Sequence, residues 1–210
     1  MSKLDLGNNE FINYEFHENI GKNTIVFSNS LGSDLSMWDP QAEYFKDDYQ
    51  IIRYDKRGHG KSSPIQGPYT FDMLESDVIS IMDEIGIDKV HFVGLSMGGM
   101  TSLGLALKHS NRFDKLVCCA ARADMPPPAI EAWDQRMAVV EDKGTQGVVQ
   151  GSLERWFSDK FRNDVANNHI LEKAEEMIKS TSTNGYIGSC NAIKGLDYLR
   201  ELAKIKKNFL

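Results

Sequence analysis

The chain has 210 residues, 41% hydrophobic and 26% charged, with a formal net charge of −6. That length holds one large core, or one core with an insertion, and the composition excludes a disordered chain. The acidic excess argues against nucleic acid as a partner, since nucleic-acid binders carry a basic face. The first seven residues hold no apolar h-region, so no secretory signal is read. No stretch reaches the ~18–20 apolar residues of a membrane helix, so no membrane partner is expected. Cys118, Cys119 and Cys190 are an odd set, read as reduced, buried thiols of a cytoplasmic protein.

In chain order, residues 10–18 partly alternate and follow the Gly7-Asn8-Asn9 turn, which predicts an early antiparallel strand. Short apolar runs at 24–27, 50–54, 90–93 and 115–119 each have the length of a buried strand. Between them, Phe71, Leu74, Val78, Ile81, Met82 and Ile85 share one helix face, with Thr70 as N-cap and Gly86 as stop. A second helix is expected from Ser96 to about His109. Such alternation implies a mostly parallel sheet wrapped by helices.

After Ala121 the pattern changes. Pro126-Pro127-Pro128 breaks the chain, and from there to about Ala203 the signals are helical. Ile130, Trp133, Met137 and Val140 line a first helix; Val148, Val149, Leu153, Trp156 and Phe157 crowd a second. Ile170 to Ile178 suggest a third, and Tyr186 to Leu199 a fourth. The expected organisation is an α/β core over residues 1–122, an inserted helical lid over 123–203, and the start of another core strand over 204–210.

Three segments carry chemistry. Gly94-Leu95-Ser96-Met97-Gly98 follows an apolar strand and opens a helix, the context of a nucleophile elbow. Its glycines suit a strained turn that presents the Ser96 hydroxyl. The helix start supplies N–H donors for a developing oxyanion. Ser28-Asn29-Ser30-Leu31-Gly32-Ser33 follows the 24–27 strand and can aim a second donor at the same point. The backbone amides of Leu31 and Met97 are therefore the oxyanion-hole candidates. Asp55-Lys56-Arg57-Gly58-His59-Gly60-Lys61-Ser62 ends like a phosphate-binding P-loop but has Asp55 where that motif needs glycine. It is read as a turn that holds the fold, and His59 is not assigned as a base.

Together these stretches resemble the 3-oxoadipate enol-lactonases of the α/β-hydrolase superfamily. The likeness runs through residues 28–39, 53–63 and 91–100, with Glu154-Arg155-Trp156-Phe157 and Gly185-Tyr186 added in the lid. The Arg-Gly-His-Gly and Gly-x-Ser-x-Gly stretches are common to many superfamily members. Asn29-Ser30-Leu31-Gly32 is more particular, because many relatives carry His-Gly there.

The resemblance implies an α/β-hydrolase fold whose last strands are missing. It implies hydrolysis of the enol-lactone ring to 3-oxoadipate, in the β-ketoadipate pathway of aromatic breakdown, without metal or organic cofactor. Ser96 would attack the carbonyl, a histidine would take its proton, and an acid would orient that histidine. The partner is a small lactone that carries a carboxylate, so a lid cation is expected. Arg136, one turn from Trp133, is the candidate; Arg155 and Arg162 are weaker ones. The family's acid and histidine would follow strands beyond Leu210, and roughly 50 residues are absent by the size of a βα unit. None of His17, His59, His91, His109 and His169 stands at the family's catalytic position. Asp124 is a weak substitute for the acid. The chain as it stands is thus expected to have little lactonase activity, with the 116–119 strand near an unprotected edge. A non-catalytic binding module, or another serine esterase, thioesterase or acyltransferase, remain alternatives. Oligomeric state is not legible.

Overall fold

The computed structural model describes residues 2–206. Six strands form one sheet: β1 (Ser2–Gly7), β2 (Glu10–His17), β3 (Thr24–Ser28), β4 (Gln50–Tyr54), β5 (Val90–Leu95) and β6 (Phe113–Cys119). Their order is β1-β2-β4-β3-β5-β6. The β1–β2 and β2–β4 pairings are antiparallel; β4–β3, β3–β5 and β5–β6 are parallel. The four apolar runs all form strands, and the alternating N-terminal segment forms β2. The β1 partner of that hairpin was not foreseen, because only Leu4 is buried in it.

Side-chain alternation assigns the two faces of the sheet. Val26, Ile52, Phe92 and Leu116 point to one side. There they pack against Val78, Ile81 and Met82 of α2 (Phe71–Ile85) and Leu105 and Ala106 of α3 (Met97–Lys108). Ile25, Phe27 and Ile51 point to the other side, against Trp38 and the residues of α1 (Asp39–Phe45). The α2 boundaries follow the expected signals. Thr70 accepts from the Met73 N–H, and Gly86 closes the helix at φ 79°.

Beyond β6 the chain is helical: α4 (Pro127–Lys143), α5 (Val149–Trp156), α6 (Asp159–Arg162), α7 (Asn168–Ser180) and α8 (Thr183–Lys194). This layer leaves and rejoins the core at one place. Asp124 and Asp197 form an antiparallel bridge, and the Tyr198 N–H donates to the Ala123 carbonyl at 2.7 Å. That bridge explains why the fourth helix stops at Lys194 rather than near Leu199: the chain must extend to pair with Asp124. Tyr198 then donates its hydroxyl to the buried Glu75 at 2.7 Å, which pins the return to α2. α8 docks on the core through glycine contacts. A Cβ on Gly58, at φ 68°, would sit 2.3 Å from Gly185 Cα, so neither position has room for a side chain.

The strand start expected within 204–210 falls on residues 207–210, which lie outside the described residues; ahead of it Leu199–Lys204 is a 3₁₀ turn and residues 205–206 carry no strand. The burial expectation for the thiols needs correction as well. Cys190 is buried, but Cys118 and Cys119 are half-buried, because β6 is an edge strand among the described residues.

Candidate active site

β3 sits at the centre of the parallel strands, flanked by β4 and β5. Loops leaving the carboxyl ends of neighbouring strands share one edge of the sheet, where α/β folds place their sites. Ser28 of β3 lies beside Gly94 of β5, so the loop after β3 and the turn after β5 emerge together.

Ser96 occupies that turn with φ 54° and ψ −110°. A non-glycine residue held there stores roughly 1–3 kcal/mol of strain. Two hydrogen bonds hold it. The Ser96 N–H donates to the Cys119 carbonyl at 2.8 Å, and the Met100 N–H donates to the Ser96 carbonyl at 2.8 Å. The flanking glycines are sterically required. A Cβ on Gly94 would lie 2.1 Å from the Gly98 oxygen, and one on Gly98 would lie 2.2 Å from the Ser28 oxygen. Strand, helix and loop backbones therefore touch around one serine.

Met97 heads α3 directly after Ser96, and Leu31 packs in the same apolar cluster as Met97. Neither amide has a hydrogen-bond partner among the described residues. The loop that carries Leu31 is fixed on both sides. On one side the Asn29 carbonyl accepts from the Gly98 N–H at 3.1 Å and from the Lys56 ammonium. On the other, the Gly32 N–H donates to His59 Nε2 at 3.1 Å. Since Nε2 accepts, the His59 proton sits on Nδ1, 2.9 Å from the Arg57 carbonyl. His59 is fully buried, and burial lowers its pKa to about 4. It props the loop that carries Leu31 and has no free nitrogen for Ser96.

The turn at 55–62 is a fold-holding one, as the sequence suggested. Asp55 accepts from the Leu35 and Lys61 N–H groups and the Asn13 amide at 2.7–2.9 Å. Arg57 forms a two-pronged pair with buried Asp77 at 2.7 and 2.6 Å. Sequence reasoning missed Lys56. It is 1% exposed, and burial lowers its pKa to about 7, against the opposing pull of Asp55. Nothing in the sequence distinguishes it from a surface lysine of the same turn.

The other histidines stand elsewhere. His17 ends β2 and His169 lies on α7, both exposed. His91 lies near the start of β5 with its ring edge-on to Tyr49, and His109 caps the far end of α3. Among the described residues the Ser96 hydroxyl has no hydrogen bond to a histidine or to an acid. Asp124 sits in the bridge to Asp197, 3.6 Å from Arg122. No cluster of three or more His, Cys, Asp or Glu among the described residues is arranged to hold a metal.

The helical layer joins the elbow through one apolar cluster. It includes Leu31, Met97, Tyr186 and Val140, with Trp133 packed against it. The Tyr186 ring lies against Gly32 of the Leu31 loop. Arg136 stacks on two rings, 5.2 Å from the Trp133 centroid and 5.5 Å from that of Tyr186. The structure thus brings Trp133 and Arg136 together one aromatic ring away from the Leu31 loop. Arg162, by contrast, pairs with Asp159 on α6.

This fold and elbow define an α/β hydrolase, and the comparisons agree: residues 23–204 match the family described as the α/β hydrolase fold, to which the chain belongs. It is 36% identical over 194 residues to 3-oxoadipate enol-lactonase 2 of Acinetobacter baylyi, covering 92% of this chain and 71% of that protein. It is 38% identical to 3-oxoadipate enol-lactonase 1 of the same organism, covering 86% of this chain and 66% of that one. The enol-lactonase structure from Burkholderia xenovorans LB400 superposes with a TM-score of 0.88 at 35% identity, covering 96% of this chain and 77% of that one. The chain is thus of the ester- and lactone-hydrolase kind, and spans about two thirds to three quarters of these relatives.

Proposed function

We propose that the chain serves hydrolysis of 3-oxoadipate enol-lactone to 3-oxoadipate, with Ser96 as nucleophile and the Leu31 and Met97 amides as oxyanion donors. The observation that carries this reading is the strained Ser96 backbone, wedged between Gly94, Gly98 and the Ser28 carbonyl. A strained non-glycine residue at a strand–helix turn is a costly feature, and presenting a nucleophile accounts for it. The named lactonase relatives support the substrate class. The helical layer is read as a lid over Ser96, in which Trp133 and Arg136 face the substrate carboxylate. The reaction fits a pathway of aromatic breakdown.

Acyl transfer needs a base on the serine, and the described residues offer none in contact. Losing the base of a serine enzyme costs on the order of a million-fold in turnover, while oxyanion donors and binding retain roughly a thousand-fold over water. The test is acyl transfer itself: mass spectrometry of the chain after incubation with the enol-lactone should show a slowly formed acyl adduct on the Ser96 peptide that is absent in Ser96→Ala. No adduct, or one that persists in Ser96→Ala, refutes the assignment.

A further inference from the structure

Two cations of the helical layer meet on one hydroxyl. Arg136 of α4 donates to Ser152 Oγ at 2.7 Å, and Arg155 of α5 donates to the same oxygen at 3.0 Å. A hydroxyl has one proton and two acceptor sites. Ser152 gives its proton to the Val148 carbonyl at 2.7 Å, so both acceptor sites are taken by guanidinium groups. Ser152 is saturated and uncharged; it orients both arginines but neutralises neither.

No carboxylate among the described residues forms an ion pair with either arginine. Glu154, next to Arg155 in sequence, accepts from Gln150 at 2.7 Å instead. Loss of hydration, and then the charge of Arg136, depress the Arg155 pKa. Two polar atoms of the same cluster are buried without partners, Arg136 Nε and Tyr186 Oη. Tyr186 is 1% exposed and borders Gly32 of the oxyanion loop. Like charges held side by side, with unused donors at hand, suit an anion that arrives from outside.

We propose that Arg155 is a second specificity-determining residue, and that the Arg136–Arg155 pair holds the terminal carboxylate of the acyl substrate, with Ser152 as the positioning residue between them. This rests on the reading of the helical layer as a lid over Ser96. The ligand class is a short acyl compound with a carboxylate at its far end. A single guanidinium can already grip both carboxylate oxygens; the second adds charge and fixes the direction in which the carboxylate lies.

Binding tests this without relying on catalysis. Calorimetry compares 5-oxohexanoate with its neutral amide, on the wild type and on Arg155→Met, Arg155→Lys and Arg136→Met variants. The wild type should prefer the carboxylate about tenfold or more, as expected for charge-assisted bonds. Arg155→Met should remove most of that preference by weakening the carboxylate far more than the amide. Arg155→Lys should restore part of it, because charge returns without the planar fork. If Arg155→Met weakens both ligands equally, its role is structural and the proposal falls. If Arg136→Met abolishes the preference and Arg155→Met leaves it intact, Arg155 is refuted and the lid reading stands. A wild type that does not distinguish acid from amide overturns the lid reading itself.

Discussion

The elbow and the helical layer are built by opposite means. At the elbow, backbone touches backbone: Gly94, Gly98 and Ser28 leave no room for a Cβ, and one side chain, Ser96, projects from the contact. In the helical layer the arrangement is made by side chains, with Arg136, Arg155 and Ser152 joined across two helices. On the proposed function, presentation of the nucleophile rests on steric necessity, whereas ligand preference rests on a few exchangeable charges.

The largest expected effect breaks the contrast at its steric end. Gly98→Ala should cost about 4 kcal/mol or more in a urea melt, since the new Cβ meets the Ser28 carbonyl backbone. Gly151 of α5 supplies the opposite case. A Cβ there meets only the Arg155 guanidinium, at 3.4 Å, so Gly151→Ala should stabilise by about 0.5–1 kcal/mol through helix propensity. Equal losses at the two glycines would remove the distinction.

Next in size is a pH effect at the loop that carries Leu31. Buried His59 titrates near 4 in the folded chain, below the ordinary value near 6.5 of the unfolded one. As pH falls, the unfolded chain takes the proton first. The contribution is complete above about pH 6.5 and fades toward pH 4, a loss of about 3 kcal/mol. Protonation would also deprive the Gly32 N–H of its acceptor. His59→Gln should flatten that part of the stability–pH curve; an unchanged slope would assign the titration elsewhere.

Smaller still is the strain at Ser96. Ser96→Gly should raise stability by about 1 kcal/mol, because glycine adopts φ 54° freely. A loss on this substitution would mean that the serine is not strained. At the other end, Arg155→Met should shift the melting midpoint least, by less than about 0.5 kcal/mol equivalent, since Arg155 stays exposed and carries no ion pair among the described residues.

The same contrast explains what the sequence revealed. The parallel strands and α2 were legible because their burial follows periods of 2 and 3.6, and the elbow because its glycines answer a local steric demand. β1 was missed because most of its side chains face solvent. The end of α8 was misjudged because the Asp124–Asp197 bridge is a contact between distant residues. Arg155 was ranked below Arg136 since an exposed arginine on an amphipathic helix reads as surface, and its meeting with Arg136 at Ser152 is tertiary. Lys56 and the supporting nitrogen of His59 were hidden for the same reason: burial, not residue type, gives them their role.

The central claim is that the fold presents Ser96 as the nucleophile. Intact-mass spectrometry of the chain treated with a fluorophosphonate, followed by peptide mapping, tests it most directly. One adduct should form slowly on the Ser96 peptide and vanish in Ser96→Ala. Adducts spread over other serines at the same rate, or an adduct that persists in Ser96→Ala, would show that the elbow presents no reactive hydroxyl.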